Sequence, residues 1–391
     1  MRILYLALDQ TVPGTLGGSV HVQAVAEGLG QLGHDVHVAV TPGGAWPAGD
    51  RGVTWHAMPP PLGRPELRWM KTGAVTTLAR QLDADVLVER YYNFGGEGVR
   101  AAHRLGRPAV LEVNAPVIDY PGSPKALVDR LLIMRPMARW RDELCRMTQL
   151  FVTPSAEILP AWIDRRRILE TEWGADTDRF QPQVATDPPF PRVPGRIVCV
   201  FAGAFRAWHG ADRLAAALAR LHASGDRRFT GVFIGDGPER PAAERAARGV
   251  PGVIFTGAIA HDQMPRYLAA ADIGVAPFDP ARHPSLRLGF YWSPLKIFEY
   301  MAAGLPVVTP ALPRLSRLVE DQREGCLYDP ADATALDRAL VSLADASRRQ
   351  RLGAAARVRV VRDFSWTAHV AGLERRMRLL VNGTRPQGSR A

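Results

Sequence analysis

Lys296 and Glu299 stand three residues apart at the start of the segment SPLKIFEYMAAG, 293–304. Ser293 is a residue type that caps helices, and Pro294 suits a first helical position, where its missing N–H costs nothing. Gly304 and Pro306 end the run. A helix starting here offers free N–H groups and a partial positive charge, a setting for phosphate. Lys296 in the first turn opposes the helix dipole, which points to an anion at that end. Glu299, on the same face, can accept two hydrogen bonds from a vicinal diol such as ribose. The competing reading is an ordinary surface ion pair between the two side chains. Local features leave both open.

A second segment, FAGAFRAWHG at 201–210, follows an apolar run and precedes a helical one. Gly203 and Gly210 permit a tight turn close to a ligand, and Arg206 can hold phosphate oxygens in bidentate fashion. Trp208 and His209 fit packing or ligand contact equally. Gly17-Gly18 lies before the first helical stretch but is not GxGxxG, so it is a poor dinucleotide fingerprint. GDGPE at 235–239 reads as a turn and helix start. The ten histidines are scattered, with no HExxH and no Asp-x-Asp, which disfavours a metal-dependent reaction. No GxSxG or Cys-His pairing stands out.

These segments sit in an alternating pattern. The run 2–8 has strand length. Val22, Val25, Leu29 and Leu32 recur at helical spacing, with Ser19 as cap and Gly33 past the end. Val36–Val40 is the next strand, completing a βαβ unit. Strands are expected at 85–88 and 108–113, and helices at 125–147 and 157–169. A polar stretch at 175–195 carries Pro182, Pro188, Pro189, Pro191 and Pro194 and reads as an extended linker. The alternation then restarts: strands at 196–202, 230–235, 252–256, 273–277 and 305–309, helices at 211–223, 238–248, 262–271 and 294–303. The expected fold class is α/β, two doubly wound parallel-sheet domains in tandem with ligands at the carboxyl ends of the strands. The domains are placed at 1–185 and 186–378, with a disordered tail at 379–391. A last helix near 365–380 is expected to pack back on the first domain.

The chain has 391 residues, 47% hydrophobic and 23% charged, a globular composition too long for one ordinary core. No stretch reaches the roughly 18–20 apolar residues of a spanning helix, and MRILYLAL lacks the features of a signal peptide. A cytoplasmic protein is expected. Cys145, Cys199 and Cys326 lie far apart in apolar contexts and read as buried thiols. The formal net charge of +10 favours anionic partners, but no nucleic-acid motif accompanies it. The stretch 125–147 mixes arginines with Leu, Ile, Met and Trp140, which fits either an anionic membrane face or a packed helix with a solvated basic side.

Taken together, the ordered set GG-helix-GHxV, FAGAFRAWHG, GDGPE, VIFTG, AADIGVAPF and SPLKIFEYMAAGLPVV resembles the retaining GT-B glycosyltransferases of family four, over roughly residues 1–378. The resemblance implies an acceptor-binding N-terminal domain, a C-terminal domain for a nucleoside diphosphate sugar, and a site in the cleft between them. The sugar nucleotide is a co-substrate, and no other cofactor is implied. Glu299 matches the second glutamate of the Glu-x7-Glu motif, which binds ribose; the first would fall at Tyr291. Backbone amides for the phosphates would come from Ser293 and Leu295. Arg206 matches the phosphate-binding arginine, and His209 stands where the second basic residue is usually lysine. Asn114 falls where many members carry histidine near the transferred sugar. Gly17 and Gly18 match the loop beside phosphate and hexose, and the turn from Gly257 to Ile259 meets the nucleobase.

The resemblance implies that Arg206 and Asn114 serve catalysis and that UDP- or GDP-linked hexose is the donor; Lys296 joins them on its own charge and its place in the first helical turn. The acceptor stays open among glycan, lipid and small molecule. Two other readings stand beside it: a sugar-nucleotide-binding homologue that has lost catalysis, given Tyr291, and a nicotinamide-dependent dehydrogenase, which the missing GxGxxG argues against.

Overall fold

The computed structural model describes residues 1–14, 17–47, 52–120, 122–132, 134–183 and 187–384. The chain forms two compact units. The first comprises Met1–Trp173, Tyr291–Ser293 and the chain from Trp366 onward; the second comprises Gly174–Phe290 and Pro294–Ser365.

The first unit is built on seven strands: β1 (Arg2–Val12), β2 (Asp35–Pro42), β3 (Val53–Ala57), β4 (Val86–Arg90), β5 (Ala109–Glu112), β6 (Leu150–Thr153) and β7 (Ile168–Glu170). Their order is β3-β2-β1-β4-β5-β6-β7, and every pairing is parallel. Parallel strands covered on both faces bury nearly all their side chains, which is why β4, β5 and β6 are buried throughout. Helix Gly17–Gln31 lays Val22, Val25 and Leu29 on this sheet. Helix Trp366–Thr384 adds Val370, Leu373, Met377 and Val381 to the same core. A Cβ on Gly28 would stand 2.8 Å from the Val370 side chain, so the two helices meet at close range there.

The second unit has six strands: β8 (Ile197–Ala202), β9 (Phe229–Ile234), β10 (Ile254–Gly257), β11 (Ile273–Val275), β12 (Val307–Pro310) and β13 (Gly325–Tyr328). Their order is β10-β9-β8-β11-β12-β13, again all parallel. In both sheets the order reverses beside the first strand, between β1 and β4 and between β8 and β11. Such switch points leave a crevice at the carboxyl ends of the strands.

Several expectations are corrected. The stretch 125–147 is not one helix but two, Pro124–Leu131 and Pro136–Met147. Pro136 starts the second, and Arg135 before it adopts φ 47°. Residues 157–169 do not form the expected α-helix. Two short 3-10 turns, Ala156–Ile158 and Arg165–Arg167, flank Pro160, and the segment then enters β7. The proline-rich stretch does not link domains. Its described residues lie in the second unit, where Phe180 and Phe190 are buried and Arg357 donates to the carbonyls of Phe180 and Thr177. The last helix runs through Thr384, so 379–384 is not a disordered tail; 385–391 lie outside the described residues.

Candidate functional site

In the second unit, chain leaving the tip of β8 turns at Gly203, where φ is 130°. A Cβ there would lie 3.1 Å from Lys296 Nζ and 4.0 Å from His209 Nδ1, so these three residues converge. Lys296 comes from the first turn of helix Leu295–Ala302. Its Nζ is shielded from solvent and has no hydrogen-bond partner among the described residues. It lies 4.2 Å from the ring centroid of Phe201 and 5.3 Å from that of Phe278. Burial lowers the ammonium to about 7, and Glu299 only partly counters it. The surface ion pair is therefore not formed. Glu299 instead pairs with His261, Oε1 to Nε2 at 3.3 Å.

His209 closes the 3-10 turn Ala207–His209, and its Nδ1 meets the Ala204 carbonyl at 2.5 Å. Burial first, then the Lys296 charge, press its imidazole down to about 2. With Nδ1–H donating to the carbonyl, Nε2 is left as an acceptor. His209 is thus a neutral ring, not a second cation. Arg206, one turn earlier, is exposed and makes no ion pair among the described residues. Gly210 has φ 71°, and a Cβ on it would stand 1.9 Å from the Pro277 carbonyl oxygen, so only glycine fits. Gly257 ends β10 with φ 72°, and its carbonyl accepts from Gly235 N–H.

Ser293 is not the helix cap. The cap position is Pro294, and Ser293 belongs to the first unit. There its Oγ donates to Glu172 at 2.6 Å and accepts from Trp173 N–H at 2.8 Å. Leu295, half-buried, is the first helical residue. Tyr291 is buried in the first unit, its ring 4.9 Å from that of Trp292.

Gly17, Gly18 and Asn114 also lie in the first unit. The two glycines open helix Gly17–Gln31, and Ser19 is inside its first turn rather than capping it. A Cβ on Gly18 would stand 2.0 Å from Gln10 Oε1 and 3.4 Å from Arg90 Nη2. Asn114, two residues past β5, accepts from Arg90 Nη1 at 3.0 Å and Nη2 at 3.1 Å once its amide is oriented by its partners. Arg90 ends β4, lies 3.6 Å from Glu112, and packs 5.2 Å above the Trp173 ring.

Glu112 ends β5 and is fully engaged. It accepts from Tyr5 OH at 2.6 Å and pairs with His21. Burial would raise this carboxyl, but His21, Arg90 and Tyr5 outweigh it and hold it at about 2. His369 Nδ1 meets the Glu172 carbonyl at 2.8 Å, and burial lowers its imidazole to about 4. His21, Glu112 and His369 each bring one ligand-type atom within 4.8 Å of the others. The carboxylate is already taken up by an arginine, a phenol and an imidazole, so the group reads as a hydrogen-bonded network. A second network lies alongside. Buried Arg68 binds Glu97 at 2.6 Å and Asp9, while Glu89 accepts backbone N–H bonds from Gly96, Gly98 and Val99.

Sequence reasoning missed Arg90, Glu112, Arg68 and His261. A signal existed for the first two: VLVER and LEV place charges within strands otherwise fit for a dry interior. Arg68 and His261 had none, since each finds its partners only across the fold.

Two doubly wound parallel-sheet units, with glycine turns and a shielded lysine ammonium at the strand tips of the second, define the class of GT-B glycosyltransferases. The chain belongs to the group 1 glycosyltransferases: residues 196–346 match the family described as Glycosyl transferases group 1, and residues 16–172 match Glycosyltransferase Family 4. It is 28% identical to a GDP-mannose-dependent alpha-mannosyltransferase of Mycolicibacterium smegmatis, over 91% of this chain and 92% of that one. It is 31% identical to the sulfoquinovosyl transferase of Arabidopsis thaliana, but over 35% of this chain and only 25% of the plant protein. Sucrose-phosphate synthase from Thermosynechococcus elongatus shares the fold, with TM-score 0.73 and 19% identity over 98% and 99% of the two chains. The protein is an enzyme that transfers sugar from a nucleotide sugar.

Proposed function

We propose that this glycosyltransferase takes a hexosyl group from a GDP- or UDP-linked donor, GDP-mannose in the first place, and transfers it with retention to a hydroxyl of a glycan, lipid or small-molecule acceptor. The observation that carries the reading is Lys296, whose shielded Nζ has no hydrogen-bond partner among the described residues and lies against Gly203, on the turn that also carries exposed Arg206. A diphosphate would satisfy both cations. GDP-mannose is favoured because the M. smegmatis relative, which matches along nearly its whole length, is named for that donor.

As the anomeric bond breaks, negative charge builds on the diphosphate. Arg206, Lys296 and the N–H groups opening helix Leu295–Ala302 would stabilise it, which is electrostatic catalysis. The leaving phosphate can take the acceptor proton on the same face, so no protein base is assigned. Glu299, steadied by His261, would hold the ribose, and the turn at Gly257 would meet the base. Gly17, Gly18 and Asn114 are assigned to the sugar. The test is calorimetry with GDP, UDP, ADP and TDP and their sugars, followed by NMR of the product anomer. Binding of no nucleotide would remove the donor reading, and an inverted anomer would remove retention. Arg206→Ala should cut turnover at least a hundredfold; unchanged turnover would sink its role. The second reading, a binding homologue without catalysis, is favoured by Tyr291 at the first motif position and predicts donor binding without transfer or hydrolysis.

Among the described residues no helix is long and apolar enough to cross a membrane. We propose peripheral contact with an anionic membrane at its cytoplasmic face. Leu127, Leu131, Leu132 and Met134 are 59%, 74%, 51% and 63% exposed, and Arg130, Arg135 and Arg139 are exposed among them. The acid on that helix, Asp129, is turned inward, accepting from Met137 and Ala138 N–H. Apolar side chains ringed by arginine suit an anionic bilayer. Sedimentation with phosphatidylglycerol vesicles at physiological salt should carry the protein down, and Leu131→Glu should release it. A protein left in the supernatant would end this proposal.

A further inference from the structure

The strand tips of the first unit hold a polar arrangement whose direction is set. Arg90 is buried, with Glu112 at 3.6 Å, the Trp173 ring at 5.2 Å and the Asn114 amide within hydrogen-bond reach. Glu112 is itself held by Tyr5 and His21, so the anion facing the guanidinium is fixed in place. A guanidinium has only donors. It therefore selects the oxygen of the Asn114 amide and turns the nitrogen away. A free asparagine presents acceptor or donor with equal ease; with its oxygen held by Arg90, this one has only N–H groups left to offer.

We infer that Arg90 is a positioning residue that holds Asn114 as a hydrogen-bond donor toward an oxygen of the transferred sugar. This rests on the reading above that Asn114 faces that sugar. Asparagine cannot take a proton here, and with its carbonyl occupied it cannot accept one in a hydrogen bond either. The site would recognise a sugar hydroxyl through its lone pair, leaving the hydroxyl proton to be satisfied elsewhere. Position 114 therefore selects for the sugar and not for the nucleotide.

The test compares affinities for GDP-mannose and GDP by calorimetry on the full-length protein. Asn114→Ala should lower the GDP-mannose-to-GDP affinity ratio about tenfold while leaving GDP binding near the wild-type value, the effect of one lost hydrogen bond. Asn114→Asp keeps Arg90 paired but offers no N–H, and should lose the same ratio. Arg90→Lys keeps the buried charge and frees the amide. It should lower the ratio about threefold alone, and cause no further fall in an Asn114→Ala background. Additive effects in that double variant would show that Arg90 acts elsewhere and would overturn the inference. So would an Asn114→Asp protein with a wild-type ratio, a test that stands even where Arg90→Lys fails to fold. A wild type that binds neither nucleotide removes the donor reading and this inference with it. A wild type that binds both, with an unaltered ratio in the variants, removes this inference alone.

Discussion

With the Asn114 amide oriented by its partners, its side-chain oxygen accepts N–H bonds from both terminal nitrogens of Arg90, at 3.0 and 3.1 Å, linking the end of one central strand to the loop beyond its neighbour. The contact joins a structural network to the asparagine assigned to the sugar. The two partners should differ sharply in what their loss does to folding. Arg90→Ala strips a buried cation from Glu112 and should cost about 3 kcal/mol. Asn114→Ala, at a half-buried loop position, should cost about 1 kcal/mol. Urea unfolding of the two variants measures the difference, and equal small losses would mean the guanidinium is not structurally anchored.

Lys296 should make donor binding depend on pH. Its ammonium is lowered to about 7 by burial, and a bound diphosphate would raise it again. Binding then takes up a proton above pH 7, so affinity should weaken as pH rises from 7 toward 9, by up to about tenfold per unit. His209, which stands beside Lys296, does not share that window, its imidazole being held near 2. Calorimetry with GDP in buffers of different ionisation enthalpy measures the proton uptake. Lys296→Met should abolish it, and uptake that persists in the variant would assign the proton elsewhere.

Glu112 should contribute to acid stability. Its folded carboxyl sits near 2, below the ordinary carboxylate value. The contribution is therefore full above about pH 4.5 and is lost as pH falls from there toward 2. Glu112→Gln should be less stable than wild type at pH 7, with a smaller gap between the two at pH 3. Thermal melts across that range check it, and a gap that widens on acidification would contradict the assignment.

Gly210→Ala should damage the second unit while leaving the first intact. The added methyl would meet the Pro277 carbonyl at 1.9 Å, backbone that cannot yield cheaply, and φ there is 71°. A loss of at least about 2 kcal/mol is expected, with donor binding weakened in parallel because the turn carries His209. Denaturant unfolding and calorimetry measure the two effects.

Glu299→Ala should raise the donor KM with little change in kcat, and His261→Ala should do the same to a smaller degree through their 3.3 Å contact. A large fall in kcat with unaltered KM would remove Glu299 from the ribose.

Local pattern made much of this protein legible. The helix expected at 211–223 is Ala211–Ala223, and the strand expected at 196–202 is Ile197–Ala202, because one-sided helical spacing and a short apolar run are properties of neighbouring residues. The glycines at 203 and 210 announced a tight turn for the same reason. Where prolines interrupted the pattern, at Pro136 and Pro160, apolar spacing alone misled. The tertiary structure decided what depends on residues far apart in the chain. Lys296 and Glu299 are three residues apart and were read as a pair, yet they part company: one is shielded behind Gly203 and two rings, the other turns to His261. Ser293 looked like a cap and bonds Glu172 instead. The amide of Asn114 has a direction only because Arg90 stands beside it, and Arg90 stands there only because β4 and β5 are neighbours. Spacing along the chain determines which residue types share a segment. Burial and long-range partners determine which charge they carry and which way they face, because desolvation and hydrogen bonding act through space.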